Sequence, residues 1–267
     1  MILLNHDRCA LIQGETVATL AVLPSKSFDI ILTDPPYAPH VHANLGKERR
    51  NDGHAARDEL AFPPITPAMI EHLAAEYVRL CKGWILSFSD FYSSALWGTA
   101  LQRAGGAWVR TGAWVKTNPM PQMTGDRPAC GHEDIVIGHA QTKGWSWNGK
   151  GHAAIWRGPR DLDAEHPNQK PAWLCQALLG MFAPAGGRVL DPFFGAGSTV
   201  VAALAPERIV GEIGVETACK ACGRKRAEEY APPIPVNLSV LGIEGDPKWN
   251  ALSISRIAPL LPASIAA

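Results

Sequence analysis

The stretch Phe28-Asp29-Ile30-Ile31-Leu32-Thr33-Asp34-Pro35-Pro36-Tyr37 constrains this chain more than any other. Ile30, Ile31 and Leu32 form a short apolar run of the kind found in strands buried on both faces. Two consecutive prolines then forbid further ladder bonding and also forbid a helix. The backbone is held in a stiff, extended turn at the carboxyl end of a strand, where open α/β sheets place their ligands. Asp34 offers a carboxylate, Pro35 a carbonyl and Tyr37 an aromatic face. Two acceptors and a stacking surface suit a planar ring bearing an amino group. The acceptors take the two N–H donors of the amine, and its lone pair is left to face an electrophile. A Pro-rich turn without chemistry is the bland alternative for this stretch alone.

A second strand-end acid lies far along the chain. Arg188-Val189-Leu190 reads as a buried strand, followed by Asp191-Pro192-Phe193-Phe194-Gly195-Ala196-Gly197-Ser198-Thr199 and an apolar helix over 200–204. A glycine-rich turn between strand and helix lets a ligand approach the backbone, with N–H groups directed at it. No G-x-x-x-x-G-K-[ST] run is present, so this is not an ordinary phosphate loop. Gly-x-Gly alone is a weak signal. It gains force from the strand-end acid and from the earlier Asp-Pro-Pro-Tyr turn.

The intervening chain alternates strands and helices. A strand is expected over 10–13, ending at Gly14-Glu15, with Thr16 capping a brief helix over 17–23. The polar stretch 40–59, with Lys47, Arg49, Arg50, His54 and Arg57, reads as a loop able to clamp a phosphate backbone or simply to be solvated. Thr66 caps a helix with Pro67 in its first turn, and Lys82-Gly83 closes it. A strand over 84–88, a helix over 91–104 and a strand over 107–115 continue the rhythm of a parallel sheet with crossovers.

The rhythm breaks over 116–165, where two short strands, 134–137 and 153–156, are expected in an otherwise irregular stretch. Lys116, Arg127, Lys143, Lys150, Arg157 and Arg160 interleave with Trp145, Trp147 and Trp156. Such a mixture is a plausible nucleic-acid surface, and equally a small core packed by its own tryptophans. His132-Glu133-Asp134 lacks a second ligand pair at matching spacing and is not read as a metal site. After His166-Pro167-Asn168-Gln169-Lys170-Pro171 a helix over 172–182 is expected, with Leu174, Leu178 and Leu179 on its core stripe.

Length and composition bound the rest. With 267 residues, 46% hydrophobic, the chain can build one large α/β domain with a sizeable insertion. The formal net charge is zero, so a polyanion must be met by a local patch and not by a global field. Six scattered cysteines suit a reducing cytoplasm. No signal peptide opens the sequence and no apolar run spans a bilayer, so a membrane partner is not expected.

The motifs, in their order along the chain, resemble the circularly permuted β class of S-adenosylmethionine-dependent DNA amino-methyltransferases. Asp34-Pro35-Pro36-Tyr37 comes first, then the irregular middle, then His166 to Pro171, and last Asp191 to Thr199. The resemblance spans nearly the whole chain. It implies a Rossmann-like, mostly parallel twisted sheet with helices on both faces, a single domain over 1–267 with a target-recognition insertion at 116–165. It also implies transfer of a methyl group to the exocyclic amine of a flipped-out adenine in double-stranded DNA, in a restriction-modification setting. Asp34, Pro35, Pro36 and Tyr37 are then catalytic. Asp191, Phe193, Gly195, Gly197, Ser198 and Thr199 line the methionine end of the cofactor, with Asp34 beside it. Lys170 neutralises the cofactor carboxylate, and Glu15 lies near its adenine.

The family's acid for the cofactor ribose has two candidates, Glu216 and Glu244. Glu244 is preferred because Asp246-Pro247-Lys248-Trp249 and a helix follow it. The stretch 206–237 then becomes a second insertion, containing Cys219-Lys220-Ala221-Cys222. That half-site could pair with His6 and Cys9 to hold a structural zinc, although two cysteines without metal are the plainer reading. Aspartate at position 34 favours adenine, since family members acting on the cytosine amine more often carry serine there. The cytosine amine is the first alternative, and a non-catalytic DNA-binding module on the same scaffold is the alternative from another class. A homodimer is carried as a further candidate assembly.

Overall fold

A computed structural model describes residues 1–38, 64–122, 125–161, 164, 168–205, 207 and 237–261. In chain order these form β1 (Ile2–His6), β2 (Cys9–Gln13), α1 (Thr16–Ala21), β3 (Phe28–Thr33), α2 (Pro67–Leu80), β4 (Cys81–Ser89), α3 (Phe91–Arg103), β5 (Ala107–Lys116), β6 (His132–His139), β7 (Ile155–Gly158), α4 (Ala172–Phe182), β8 (Arg188–Asp191), α5 (Ser198–Leu204), β9 (Ser239–Glu244) and α6 (Pro247–Ile257). A short 3-10 turn, Ala258–Leu260, follows. Among the described residues no helix is long and apolar enough to cross a membrane. The stretch 40–59 and most of 206–237, including Glu216, Cys219 and Cys222, lie outside the described residues.

The strands join one sheet in the order β1-β2-β9-β8-β3-β4-β6-β5-β7. From β2 to β4 the five neighbours are parallel. Helices cover both faces, as the apolar runs require. Alternate residues divide between two cores: Ile30, Leu32, Leu86, Ile135 and Ile137 enter one with α4 and α5, while Ile31, Ile85 and Val136 enter the other with α2 and α3. Each fully buried aliphatic side chain contributes about 1.5–3 kcal/mol relative to exposure, so the period-two division fixes register.

From β3 the chain continues to the neighbouring β4, whereas from β8 it continues to β9 on the other side. The β3–β8 boundary is thus the switch point at which a crevice opens outside the carboxyl ends of the strands. Asp34 follows β3 and Asp191 ends β8, so the two acids flank that crevice.

Several local expectations change. Glu15, not Thr16, caps α1, its carboxylate accepting from the N–H groups of Val17 and Ala18 at 3.0 and 2.7 Å. Thr16 is buried and donates its hydroxyl to the Pro192 carbonyl, tying α1 to the second turn. Lys82 and Gly83 belong to β4 and do not close α2. There the Gly83 Cα lies against the Asp29 carbonyl, where a Cβ would meet the oxygen at 2.5 Å.

The largest difference concerns β5. It runs in the direction the strand–helix rhythm predicts but does not pair with β4. Strand β6 lies between them, antiparallel to both, so the stretch read as irregular supplies an interior strand.

Gly98 on α3 packs directly beneath the Trp108 indole of β5, and a Cβ at that position would overlap the ring. Gly98→Ala is expected to cost about 1–3 kcal/mol of stability through overpacking, read as a lower denaturant midpoint at unchanged m-value.

Candidate active site

The first turn is braced from three elements. Asp90 caps α3, accepting from the N–H groups of Tyr92 and Ser93, and its second oxygen accepts the Ala38 N–H at 3.1 Å. The Ile65 N–H donates to the Tyr37 carbonyl. The Tyr37 hydroxyl donates to Glu133 Oε2, at the start of β6, at 2.9 Å. A proline pair leaves the turn few internal hydrogen bonds, so neighbours must hold it.

The centre of the site is Lys170, whose side chain is 5% exposed. Its Nζ lies 2.6 Å from Asp34 Oδ2, 3.3 Å from Glu133 Oε2 and 3.3 Å from the Asn168 carbonyl. The ammonium also sits about 5 Å from the ring centres of Tyr37 and Phe88, close enough for cation–π attraction. On its far side Glu133 Oε1 accepts from Lys116 at 2.8 Å. Two carboxylates and two ammonium groups therefore form one closed, charge-balanced cluster.

Burial penalises every charge in this cluster, and the neighbours decide which survive. Burial works against the Lys170 ammonium, but Asp34 and Glu133 outweigh it and hold its pKa above the usual lysine value. For Glu133, burial is overcome by Lys170 and Lys116, and its pKa falls to about 2. Asp34 goes the other way: burial raises its carboxyl, Lys170 offsets this only partly, and Glu133 adds a like charge. Burial, with Asp34 and Glu133, also pushes the Tyr37 phenol well above its ordinary value, so it remains a neutral donor. Asp34 is thus the member of the cluster closest to taking a proton.

The second turn is built differently. Gly195 and Gly197 have φ of +48° and +80°, left-handed conformations that glycine adopts without a Cβ penalty. Glu244, at the end of β9, accepts the Gly195 N–H at 3.0 Å and the Asp246 N–H at 2.8 Å. Asp191 accepts the Phe193 N–H, and burial raises its pKa to about 7 despite Thr199 and that N–H.

One cavity of about 740 Å³ joins the two turns, within the range of small-molecule sites. Its wall includes Glu15, Asp34, Pro35, Pro36, Tyr37, Lys170, Asp191, Phe193, Gly195, Ser198, Thr199 and Glu244. These are the expected catalytic and cofactor residues with one exception: Gly197 shapes the turn behind the wall. The details differ from expectation. Lys170 is bonded to Asp34, and the Glu15 carboxylate is occupied in capping α1. The zinc reading gains no support: Cys219 and Cys222 are outside the described residues, and Cys9 is a core side chain whose thiol burial raises to about 12. His6 Nδ1 accepts the Arg8 N–H, and among the described residues no group of three His, Cys, Asp or Glu could hold a metal.

Glu133 is the principal site residue that sequence reasoning missed. Its only signal was an acid at the start of an apolar run, and nothing local places that run beside β4. The cation surface also changes. Lys116 pairs with Glu133, Arg127 with Asp126, and Arg160 with the Asn118 carbonyl. Lys143 and Lys150 are exposed, but on the loop after β6, at the opposite end of the sheet. There the Trp84 indole donates to the Ser146 carbonyl and the Asn148 N–H to Met181. Arg157 remains exposed on β7, near the end that carries the cavity.

A mostly parallel sheet with acids at adjacent strand ends, one beside a glycine-rich turn and one in Asp-Pro-Pro-Tyr, opens one small-molecule-sized cavity between them. Comparison with known proteins makes this specific. The family model described as DNA methylase, covering the N6 and N4 amino-methyltransferases, matches residues 28–223, and the chain belongs to this DNA methyltransferase family. It is 27% identical over 251 residues to the type II methyltransferase M2.DpnII of Streptococcus pneumoniae, covering 84% of this chain and 91% of that protein. It is 26% identical over 274 residues to the type II methyltransferase M.HinfI of Haemophilus influenzae, covering 91% of this chain and 75% of that protein. Among solved structures, the M1.HpyAVI complex with SAM superposes with a TM-score of 0.62 at 19% identity, covering 93% of this chain and 98% of that one. The cytosine-N4-specific PvuII DNA methyltransferase does so at 0.64 and 13%, covering 97% and 89%. These structures share the fold.

The raised Asp191 carboxyl carries a stability consequence. An acid whose folded pKa exceeds its unfolded value, ordinarily near 3.8, contributes stability below that value that is lost as pH rises to about 7. Asp191→Asn cannot ionise, so the wild-type unfolding free energy should decline relative to the variant between about pH 4 and pH 7 and run parallel above it. Denaturant titrations of both proteins across that range check this.

Proposed function

We propose that this chain is an adenine-N6 DNA methyltransferase acting on double-stranded DNA with S-adenosylmethionine as methyl donor. The observation that carries the reading is the state of Asp34: one carboxylate oxygen is engaged by Lys170, while the other is buried in the cavity without a partner. A buried acceptor left open is costly unless a ligand completes it. It lies in the turn that also presents the Pro35 carbonyl and the Tyr37 ring. Aspartate in this place supports adenine over the cytosine amine, by the resemblance drawn from the sequence.

The residues around the second turn fit the donor. Ser198 Oγ is buried without a partner on the cavity wall, Glu244 carries remaining lone pairs beside Gly195, and Trp249 and Phe193 offer apolar faces. When bound, S-adenosylmethionine supplies an electrophilic methyl group on a sulfonium. Asp191, Phe193, Gly195, Ser198, Thr199 and Glu244 would hold it, with Gly197 setting the backbone.

An adenine amine inside a duplex cannot reach this cavity, so the base must be turned out of the stack. Tyr37 stacks on the ring, and Asp34 Oδ1 with the Pro35 carbonyl takes the two amino hydrogens. As the nitrogen forms its bond to the methyl group, the methyl–sulfur bond would break with its electron pair kept by sulfur as a neutral thioether, and the positive charge that appears on nitrogen is stabilised by Asp34. The N–H bond then breaks with its electron pair remaining on nitrogen, and the proton passes to Asp34, whose raised pKa suits an acceptor. Alignment of nucleophile and methyl supplies much of the remaining acceleration.

The whole chain, 1–267, acts as one methyltransferase domain, with 116–165 contributing target recognition and 206–237 a second insertion. Within 116–165 the cavity-side positions meet DNA. Arg157→Ala is expected to lower DNA affinity and reduce the salt-dependence slope by about one unit, whereas Lys143→Ala leaves both unchanged. Fluorescence anisotropy across a salt series measures both.

Asp34→Ala is expected to abolish methylation while preserving cofactor binding, a loss of about 3 kcal/mol or more in the barrier. Labelled cofactor, duplex DNA and digestion to nucleosides provide the assay. Label on N6-methyl-2′-deoxyadenosine supports the adenine reading, and label on N4-methyl-2′-deoxycytidine redirects it. Cofactor binding without transfer to any DNA would mark a non-catalytic binding module.

A further inference from the structure

We propose that Glu133 is a positioning residue for methyl transfer, whose carboxylate, anchored by Lys116, keeps Lys170 on one oxygen of Asp34 and so leaves the other open to the substrate amine. The inference rests on the methyltransferase reading above and assigns a role within that site.

The donor geometry of Lys170 carries the argument. An ammonium has three N–H groups. Here they meet three acceptors: Asp34 Oδ2, Glu133 Oε2 and the Asn168 carbonyl. Two of these contacts are hydrogen bonds and the third, to Glu133, is an ion pair that draws the ammonium away from Asp34 Oδ1, which stays without a hydrogen-bond partner. Remove the Glu133 carboxylate, and nothing on that side holds the ammonium from turning toward Asp34 Oδ1, an unsatisfied acceptor of the same cluster. A bidentate Lys170–Asp34 pair would then occupy the oxygen that the amine needs. The same carboxylate accepts the Tyr37 hydroxyl at 2.9 Å and thereby fixes the tilt of the stacking ring. Lys116, 2.8 Å from the other oxygen of Glu133, prevents the carboxylate from turning away toward solvent.

Charge supports the same assignment. Asp34 is faced by Lys170 from the segment before α4, by Glu133 from β6, by Tyr37 from its own turn and by Asp191 from β8. Glu133 is a like charge to Asp34 and also shares the ammonium that would otherwise belong to Asp34 alone. Both effects favour the protonated form of Asp34; in Glu133→Gln the like charge vanishes and the hold on the ammonium weakens to that of an amide oxygen. Asp34 must be ionised to stabilise the charged nitrogen, so the acid limb of the rate profile follows its titration.

Steady-state methylation by wild type and Glu133→Gln, on one duplex and across pH, tests the proposal. The expected result is a kcat lower by about 10- to 100-fold, KM for cofactor within about threefold of wild type, and an acid limb displaced to lower pH. A folded Glu133→Gln with wild-type kcat, or with its acid limb unmoved, would overturn the positioning role. Should Glu133→Gln fail to fold, Glu133→Asp decides, since it keeps the charge but withdraws it by one methylene from Tyr37 and Lys170. A kcat loss of about threefold or more at unchanged cofactor KM supports the role, and wild-type kcat overturns it. Wild-type transfer in the same assay separates the two levels: transfer with an indifferent Glu133 sinks this inference alone. Absence of wild-type transfer sinks the reading of the site and this inference together.

Discussion

The site depends on a single buried ammonium. Lys170 stands between Asp34 and Glu133, carboxylates from β3's turn and from β6, and Lys116 of β5 completes the charge balance. Placing four ionic groups under a sheet edge is not a route to stability, because the desolvation of each rivals its Coulomb gain. What the arrangement secures is mutual dependence. Removing one member leaves another buried and uncompensated, so the segments that carry them are held in one geometry. The stiff Pro-Pro turn, with few hydrogen bonds of its own, is positioned by that cluster and by Asp90.

The two halves of the cavity solve different problems. Around Asp34, charge and aromatic faces are concentrated, with one acceptor oxygen left open. Around Gly195, side-chain carboxylates are used mainly to organise backbone: Glu244 braces the turn at Gly195 and Asp246, and Asp191 receives the Phe193 N–H. On the proposed reading, a cofactor with many polar groups is met by a shaped backbone, and a flat base by a few directed side chains. The difference follows from what must change during reaction. In the proposed reaction charge develops on the acceptor nitrogen, so the groups that would face it are the ones that need tuned titration.

β6 links architecture to chemistry. Inserted antiparallel between β4 and β5, it extends the hydrophobic layers through Ile135, Val136 and Ile137 and delivers Glu133 at its first turn of ladder, beside Tyr37. Its far end leads to the loop with Lys143 and Trp145, which the antiparallel direction carries away from the cavity. One strand direction thus decides which polar residues of the middle segment lie at the cavity end of the sheet.

The sequence by itself determined the two strand-end turns and the helices at Pro67, Phe91 and Ala172, and it singled out Glu244, which lies on the cavity wall. Those features rest on local chemistry: prolines that end ladders, caps such as Thr66, glycines that permit left-handed backbone, and apolar period. Most of the cavity wall was legible for the same reason, because its residues lie within a few positions of such signals. Only the tertiary structure decided that β6 parts β4 from β5, that Glu15 serves as a cap, that Cys9 is core, and that Lys170 is bound to Asp34 across 136 residues of chain. Strand neighbours and buried ion pairs are chosen by packing between distant segments, and no local propensity encodes which carboxylate a lysine will meet.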